Sequence, residues 1–138
     1  MPDTILTEKV SVNINTATLS NIDLLVDQGY YSNRSDFINQ ALREGLQKHQ
    51  TTLDKLIDAK TEACKARSDR WFAGLYSLEK HEIELAQGRG ETFSITGYGV
   101  LIIDEEIDDE SLFSVVERIK VKGRVVCKPE VKKHYGLK

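Results

Sequence analysis

Cysteine is scarce in this 138-residue chain: Cys64 and Cys127 are the only two, far apart and without a CxxC partner. That excludes a disulfide scaffold and suits a reducing cytoplasm, where both thiols serve as packing residues. Long apolar runs are missing too. No stretch approaches the roughly 18 residues needed to cross a bilayer, so no membrane partner is expected. The opening Met1-Pro2-Asp3-Thr4 has no basic region followed by an apolar one, and a secretory signal is not expected either. Positive charge is not in excess: the formal net charge is −3, so the overall balance makes no case for nucleic acid. There is no glycine-rich phosphate loop, nucleophile elbow or carboxylate pair, which removes the usual grounds for an enzyme. His49, His81 and His134 share neither a helical face nor a metal-ligand spacing. The acidic run Asp104–Glu110 lacks the alternating ligands and the glycine of a calcium loop and reads as a solvated turn. No cofactor or metal is expected.

What remains is a normal globular balance, 40% hydrophobic and 30% charged, with room for one ordinary domain or two small ones. Charge is segregated along it. Residues 71–118 hold three basic and eleven acidic side chains, and residues 119–138 hold seven basic and one acidic. The basic end, with Lys120, Lys122, Arg124, Lys128, Lys132 and Lys133, is expected to pair with the acidic segment before it rather than with flanking phosphates.

The first strong pattern is Lys9–Asn15, which alternates polar and apolar. A period of two sets Val10, Val12 and Ile14 on one face and Lys9, Ser11 and Asn13 on the other. A lone strand cannot satisfy its own backbone, and no second alternating run precedes the next helix. Its nearest available partner is the same strand of another copy. An amphipathic helix follows, capped by Thr16 or Thr18, with Leu19, Ile22, Leu25 and Val26 at helical spacing and Gly29 as its stop. Ser32 or Asn33 caps a second helix, Asp36 completes a capping-box pattern, and Phe37, Ile38, Ala41, Leu42 and Leu46 form its apolar stripe. One strand and two short helices bury too little for a stable monomer. A dimer is therefore demanded, with Val10, Val12, Ile14, Leu19, Ile22, Phe37, Ile38 and Leu42 as its core.

Residues 9–49, about 30% of the chain, resemble the ribbon-helix-helix superfamily of the MetJ/Arc/CopG type. The alternating strand, the helix ending at Gly29 and the run from Tyr31 to Leu46, with its Arg34-Ser35-Asp36-Phe37 opening, carry the resemblance in order. It implies an intertwined homodimer whose antiparallel β-ribbon enters the major groove of double-stranded DNA. Lys9, Ser11 and Asn13 would then read bases, with Lys9 suited to guanine and Asn13 to adenine. The opening of the second helix, Ser32, Asn33 and Arg34, would anchor phosphates. Residues 1–50 carry four basic and six acidic side chains, so modest affinity per dimer is expected, with several dimers binding side by side. A nickel-sensing relative has a histidine-rich second domain, a pattern this sequence lacks.

Beyond residue 50 a helical connector is expected over 51–70, with Leu53, Leu56, Ile57, Ala63 and Cys64 on its apolar side. In the last part, residues 71–138, Gly99–Ile107 aligns without gaps on Gly123–Val131, and Ile95 falls on Ile119, a period of 24 residues. Each unit reads as glycine, short buried strand, polar turn and a return such as Ser111–Arg118. A fainter copy begins at Gly74. The expected fold class is thus α+β: a ribbon-helix-helix module over 1–50 and an α/β repeat-like domain for assembly, an effector or a partner protein. The expected function is a cytoplasmic transcriptional repressor, nucleoid-associated when on DNA. The alternatives are an autoregulating antitoxin, marked by a copurifying small partner, and a DNA-organising or partition protein, marked by low sequence preference.

Overall fold

Asparagine starts the first two helices. In the computed structural model, which describes residues 7–137, the Asn15 side-chain oxygen accepts from the N–H groups of Ala17 (2.9 Å) and Thr18 (3.3 Å) ahead of α1 (Thr16–Asp27). Thr16 and Thr18, expected as caps, lie inside the first turn instead. A carboxamide one residue earlier already reaches the second and third N–H groups of the helix. Asn33 does the same for α2 (Arg34–Lys48), taking the Asp36 N–H at 2.8 Å. Asp36 reciprocates one residue further back than a capping box requires, accepting from the Ser32 N–H at 2.9 Å. Gly29, at φ 86°, supplies the left-handed residue that ends α1. Tyr31 and Phe37 meet edge to face at 4.9 Å across the connection. After His49 alone the chain enters α3 (Gln50–Ala66), which stops short of the expected residue 70.

The chain divides into two compact units, one ending at Lys55 and the other beginning at Leu56. No helix among the described residues is long and apolar enough to cross a membrane. The Met1–Thr4 segment, with its expected lack of a signal, lies outside the described residues.

The second unit rests on a parallel sheet in the order β1-β2-β3, formed by Arg70–Leu78, Phe93–Ile103 and Val116–Val126. Parallel neighbours need crossovers. α4 (Lys80–Arg89) supplies the first and α5 (Asp109–Val115) the second, and α6 (Pro129–Tyr135) follows β3. The architecture is mixed helix and strand. Alternation along the strands turns Phe72, Leu78, Ile95, Leu101, Ile103, Ile119 and Val125 into one core, joined by Ile83 and Ala86 of α4, Leu112 and Val115 of α5, and Val131 of α6. Arg70 ties β1 to α4: its guanidinium lies 4.2 Å over the Phe93 ring and bonds to the Tyr76 hydroxyl and the Glu82 carboxylate.

Two sequence expectations need correction here. The helical or coiled return expected over Ser111–Arg118 is helical only as far as Val115, where α5 ends, because Val116–Arg118 already belong to β3. Nor do the glycines open short strands: Gly74, Gly99 and Gly123 sit in the middle of strands of 9, 11 and 11 residues. The register pairs Gly74 with Gly99 and Gly99 with Gly123. Their φ angles are 112°, 120° and 145°. A Cβ on Gly99 would lie 2.0 Å from the Gly74 carbonyl oxygen, and one on Gly123 would lie 2.0 Å from that of Gly99. The three form a column in which only glycine fits.

The acidic run is the connection from β2 to α5. Asp104 accepts from the Glu106 N–H (3.0 Å), Asp108 caps α5 through the Ser111 N–H (3.4 Å), and Ile107 is buried among the core residues.

Candidate nucleic-acid interface

The expected base-reading side chains lie ahead of α1, where residues 7–15 form neither helix nor strand within the chain. Lys9, Ser11 and Asn13 are exposed. So are Val10 and Val12, at 75% and 70%, while Ile14 is half-buried. Among the described residues nothing covers Val10 and Val12. The other expected core positions divide in the same way. Ile22 is buried, Leu19, Phe37 and Ile38 are half-buried, and Leu42 is 59% exposed. Leu24 and Leu46, also exposed, extend the uncovered apolar surface. Burial of such surface is the main driving force of association.

The expected phosphate-anchoring groups, the Ser32 hydroxyl and the N–H groups of Asn33 and Arg34, lie at the start of α2, where other atoms of the same residues are already bonded. The Asn33 side chain is occupied as the cap. The Ser32 N–H is held by Asp36. The Arg34 guanidinium makes two parallel bonds to Asp23 of α1, at 2.7 and 2.8 Å. That pairing holds the Asp23 carboxyl below the usual carboxylate range, chiefly through the hydrogen bond, and raises Arg34 correspondingly. What remains outward at this end is the set of first-turn N–H groups that every helix leaves unbonded, of which Asn33 takes one. The Asp23–Arg34 pair was not anticipated. Its signal was available: opposite charges on the last turns before and the first turn after the Gly29 connection.

A model described as the ribbon-helix-helix transcriptional regulator family matches residues 5–132. The chain belongs to that family. A ribbon-helix-helix regulator binds DNA and dimerises. The match also corrects the reach of the resemblance. Legible over residues 9–49, it left the second half without a family, whereas the family pattern runs through that half to residue 132. No curated protein and no solved structure matches the chain.

The basic end of this ribbon-helix-helix protein is divided in its use. Lys128 pairs with Asp109 at 2.5 Å, as the expected neutralisation requires. Lys120 and Lys122 have no ion-pair partner among the described residues and stand exposed on β3. His134 lies flat on the Phe113 ring, at 3.7 Å between centroids, which accounts for it as a packing residue. Among the described residues no group of three or more His, Cys, Asp or Glu could hold a metal ion.

Proposed function

We propose that this protein is a sequence-specific repressor, acting in the cytoplasm as a homodimer whose two Lys9–Asn15 segments pair into an antiparallel ribbon in the major groove. The observation that carries this reading is the exposure of Val10 and Val12, at 75% and 70%, interleaved with Lys9, Ser11 and Asn13 directly ahead of two capped helices. Pairing two copies would cover the valines and satisfy the segment's backbone. It would also leave the polar side chains facing outward, where Lys9 can donate to guanine, Asn13 can bond adenine in both directions and Ser11 is less selective. The N–H groups opening α2, beside Ser32, Asn33 and Arg34, would hold the flanking phosphates. With Arg34 already paired to Asp23, few cations are left for the backbone, so adjacent dimers would reinforce one another on the operator. In this reading residues 1–50 bind DNA, 51–70 connect, and 71–138 form successive strand-turn-helix units serving regulation or assembly.

The test is selection of bound genomic fragments by the full chain and by the Lys9→Ala, Ser11→Ala and Asn13→Ala variants, with dimerisation followed by sedimentation. Sequence preference should weaken in the variants while the dimer persists. Unchanged selectivity in all three would overturn the assignment.

A further inference from the structure

Among the described residues α4, α5 and α6 pack on one face of the sheet of the second unit, and the other face is covered only in part, at a corner, by the last turns of α3. Parallel sheets are ordinarily packed on both faces, yet Tyr98 is 55% exposed on the face away from the core, and Leu75 54%. The register lays this face out as a grid: Trp71 beside Thr96 beside Lys120, and Ala73 beside Tyr98 beside Lys122. One strand thus lines up lysines next to an aromatic pair, with Trp71 and Tyr98 in edge-on contact at 6.4 Å. The last turns of α3 bring Lys60 and Arg67 to the same corner, which forms an open-sided cavity of about 370 Å³.

We propose that this cavity binds a small aromatic phosphate of the nucleotide class, and that this ligand is the effector of the DNA-binding module. The effector role rests on the repressor reading above; the binding site does not.

Charge, shape and chemistry converge on that class. Lys60, Arg67, Lys120 and Lys122 all line the cavity and no carboxylate does, in a chain whose net charge is −3. Of the four, only Arg67 has an acidic partner among the described residues, Asp69 at a loose 3.9 Å, and Asp69 is already bonded to the Ser94 N–H. Four like charges around one hollow repel, and a bound anion removes that repulsion. Lysines suit a phosphate as point charges, and flat rings give a base a face to stack on. The volume lies at the lower end of the range for small-molecule sites.

Trp71 is the only tryptophan in the chain, so its fluorescence reports this cavity directly. The full chain is titrated with purine and pyrimidine nucleoside 5′-phosphates, with the matching nucleosides and with inorganic phosphate. At least one nucleotide should give saturable quenching, with nucleoside and phosphate each at least ten-fold weaker. The double variant Lys120→Gln/Lys122→Gln should lose ten-fold or more in nucleotide affinity, with its circular dichroism unchanged. By calorimetry, Trp71→Phe should retain more affinity than Trp71→Leu, because a ring is kept.

Three results overturn the site: no saturable binding of any nucleotide, affinity indifferent to the lysine substitutions, or affinity that climbs with the length of a single-stranded oligonucleotide. Saturable binding that leaves operator affinity the same overturns the effector role. The Lys9→Ala/Ser11→Ala/Asn13→Ala chain separates the two readings, since it should still bind the nucleotide after losing its operator preference.

Discussion

Tyr135 shows how one side chain can hold together parts of the chain distant in sequence. Its hydroxyl donates to the Val116 carbonyl at 2.7 Å, at the junction of α5 and β3. Burial pushes the phenol up to about 12. The fold therefore favours the neutral, donating form. Its contribution should be complete below the unfolded value of about 10 and vanish as pH rises through about 12. Tyr135→Phe should cost about 1 kcal/mol in denaturant unfolding at neutral pH, the usual worth of one such bond. The difference between wild type and variant should shrink as pH rises above about 10 and then reverse, because the buried phenolate is penalised and phenylalanine forms none. A constant difference across that range would mean that the lost hydroxyl is not the cause. Nothing near Tyr135 in the sequence announces this role, because its acceptor is 19 residues away. Asn33 is the opposite case: the donor it caps is three residues on, and local spacing alone made it legible.

The same contrast between local and distant partners governs the elements. α1 and α2 could be read in advance because apolar periodicity, the Asn33 cap and the Gly29 stop all lie within a few residues of one another, although the cap of α1 is Asn15 and not Thr16 or Thr18. The glycines of the sheet were visible, but as the starts of strands. Their place at the centre follows from pairing across some 25 residues, where the Gly74 and Gly99 carbonyls fill the space that a Cβ on Gly99 and Gly123 would occupy. Gly99→Ala should accordingly destabilise the second unit by more than about 3 kcal/mol, since backbone on the adjacent strand cannot yield. Gly88→Ala, within α4 and with nothing within 4 Å of the new methyl, should instead stabilise by about 0.5–1 kcal/mol. Thermal unfolding of both variants checks the pair. Equal effects would show that the column is not a steric constraint. The cavity lay beyond reach for the same reason: its walls come from residues near 60, 71, 98 and 120. The period-two lysines of β3 were seen only as a basic end.

For the molecule as a whole, pairing of two chains over the uncovered leucines and valines of the first unit would make stability a matter of concentration. Leu24, Leu42 and Leu46 are each more than half exposed in one chain. If two chains bury them together, the unfolding midpoint should rise with protein concentration, as mass action requires. Val12→Asp should depress that rise and yield monomer in sedimentation, because a carboxylate cannot enter a shared apolar seam without a partner. A midpoint independent of concentration over a hundred-fold range would argue for a self-sufficient monomer. Both the alternation of Lys9–Asn15 and the need for a second copy were expectations of the sequence, and the structure adds which apolar side chains one chain leaves exposed.

The glycine column also sets rules for how this half of the protein can change length. A residue inserted into or deleted from β2 on one side of Gly99 would slide a side chain into the notch facing the Gly74 carbonyl. The same change in the Asp104–Asp108 connection would leave the notch aligned. Length variation should therefore accumulate in the turns and spare the strand interiors, and engineered linkers or fusion points belong in those turns.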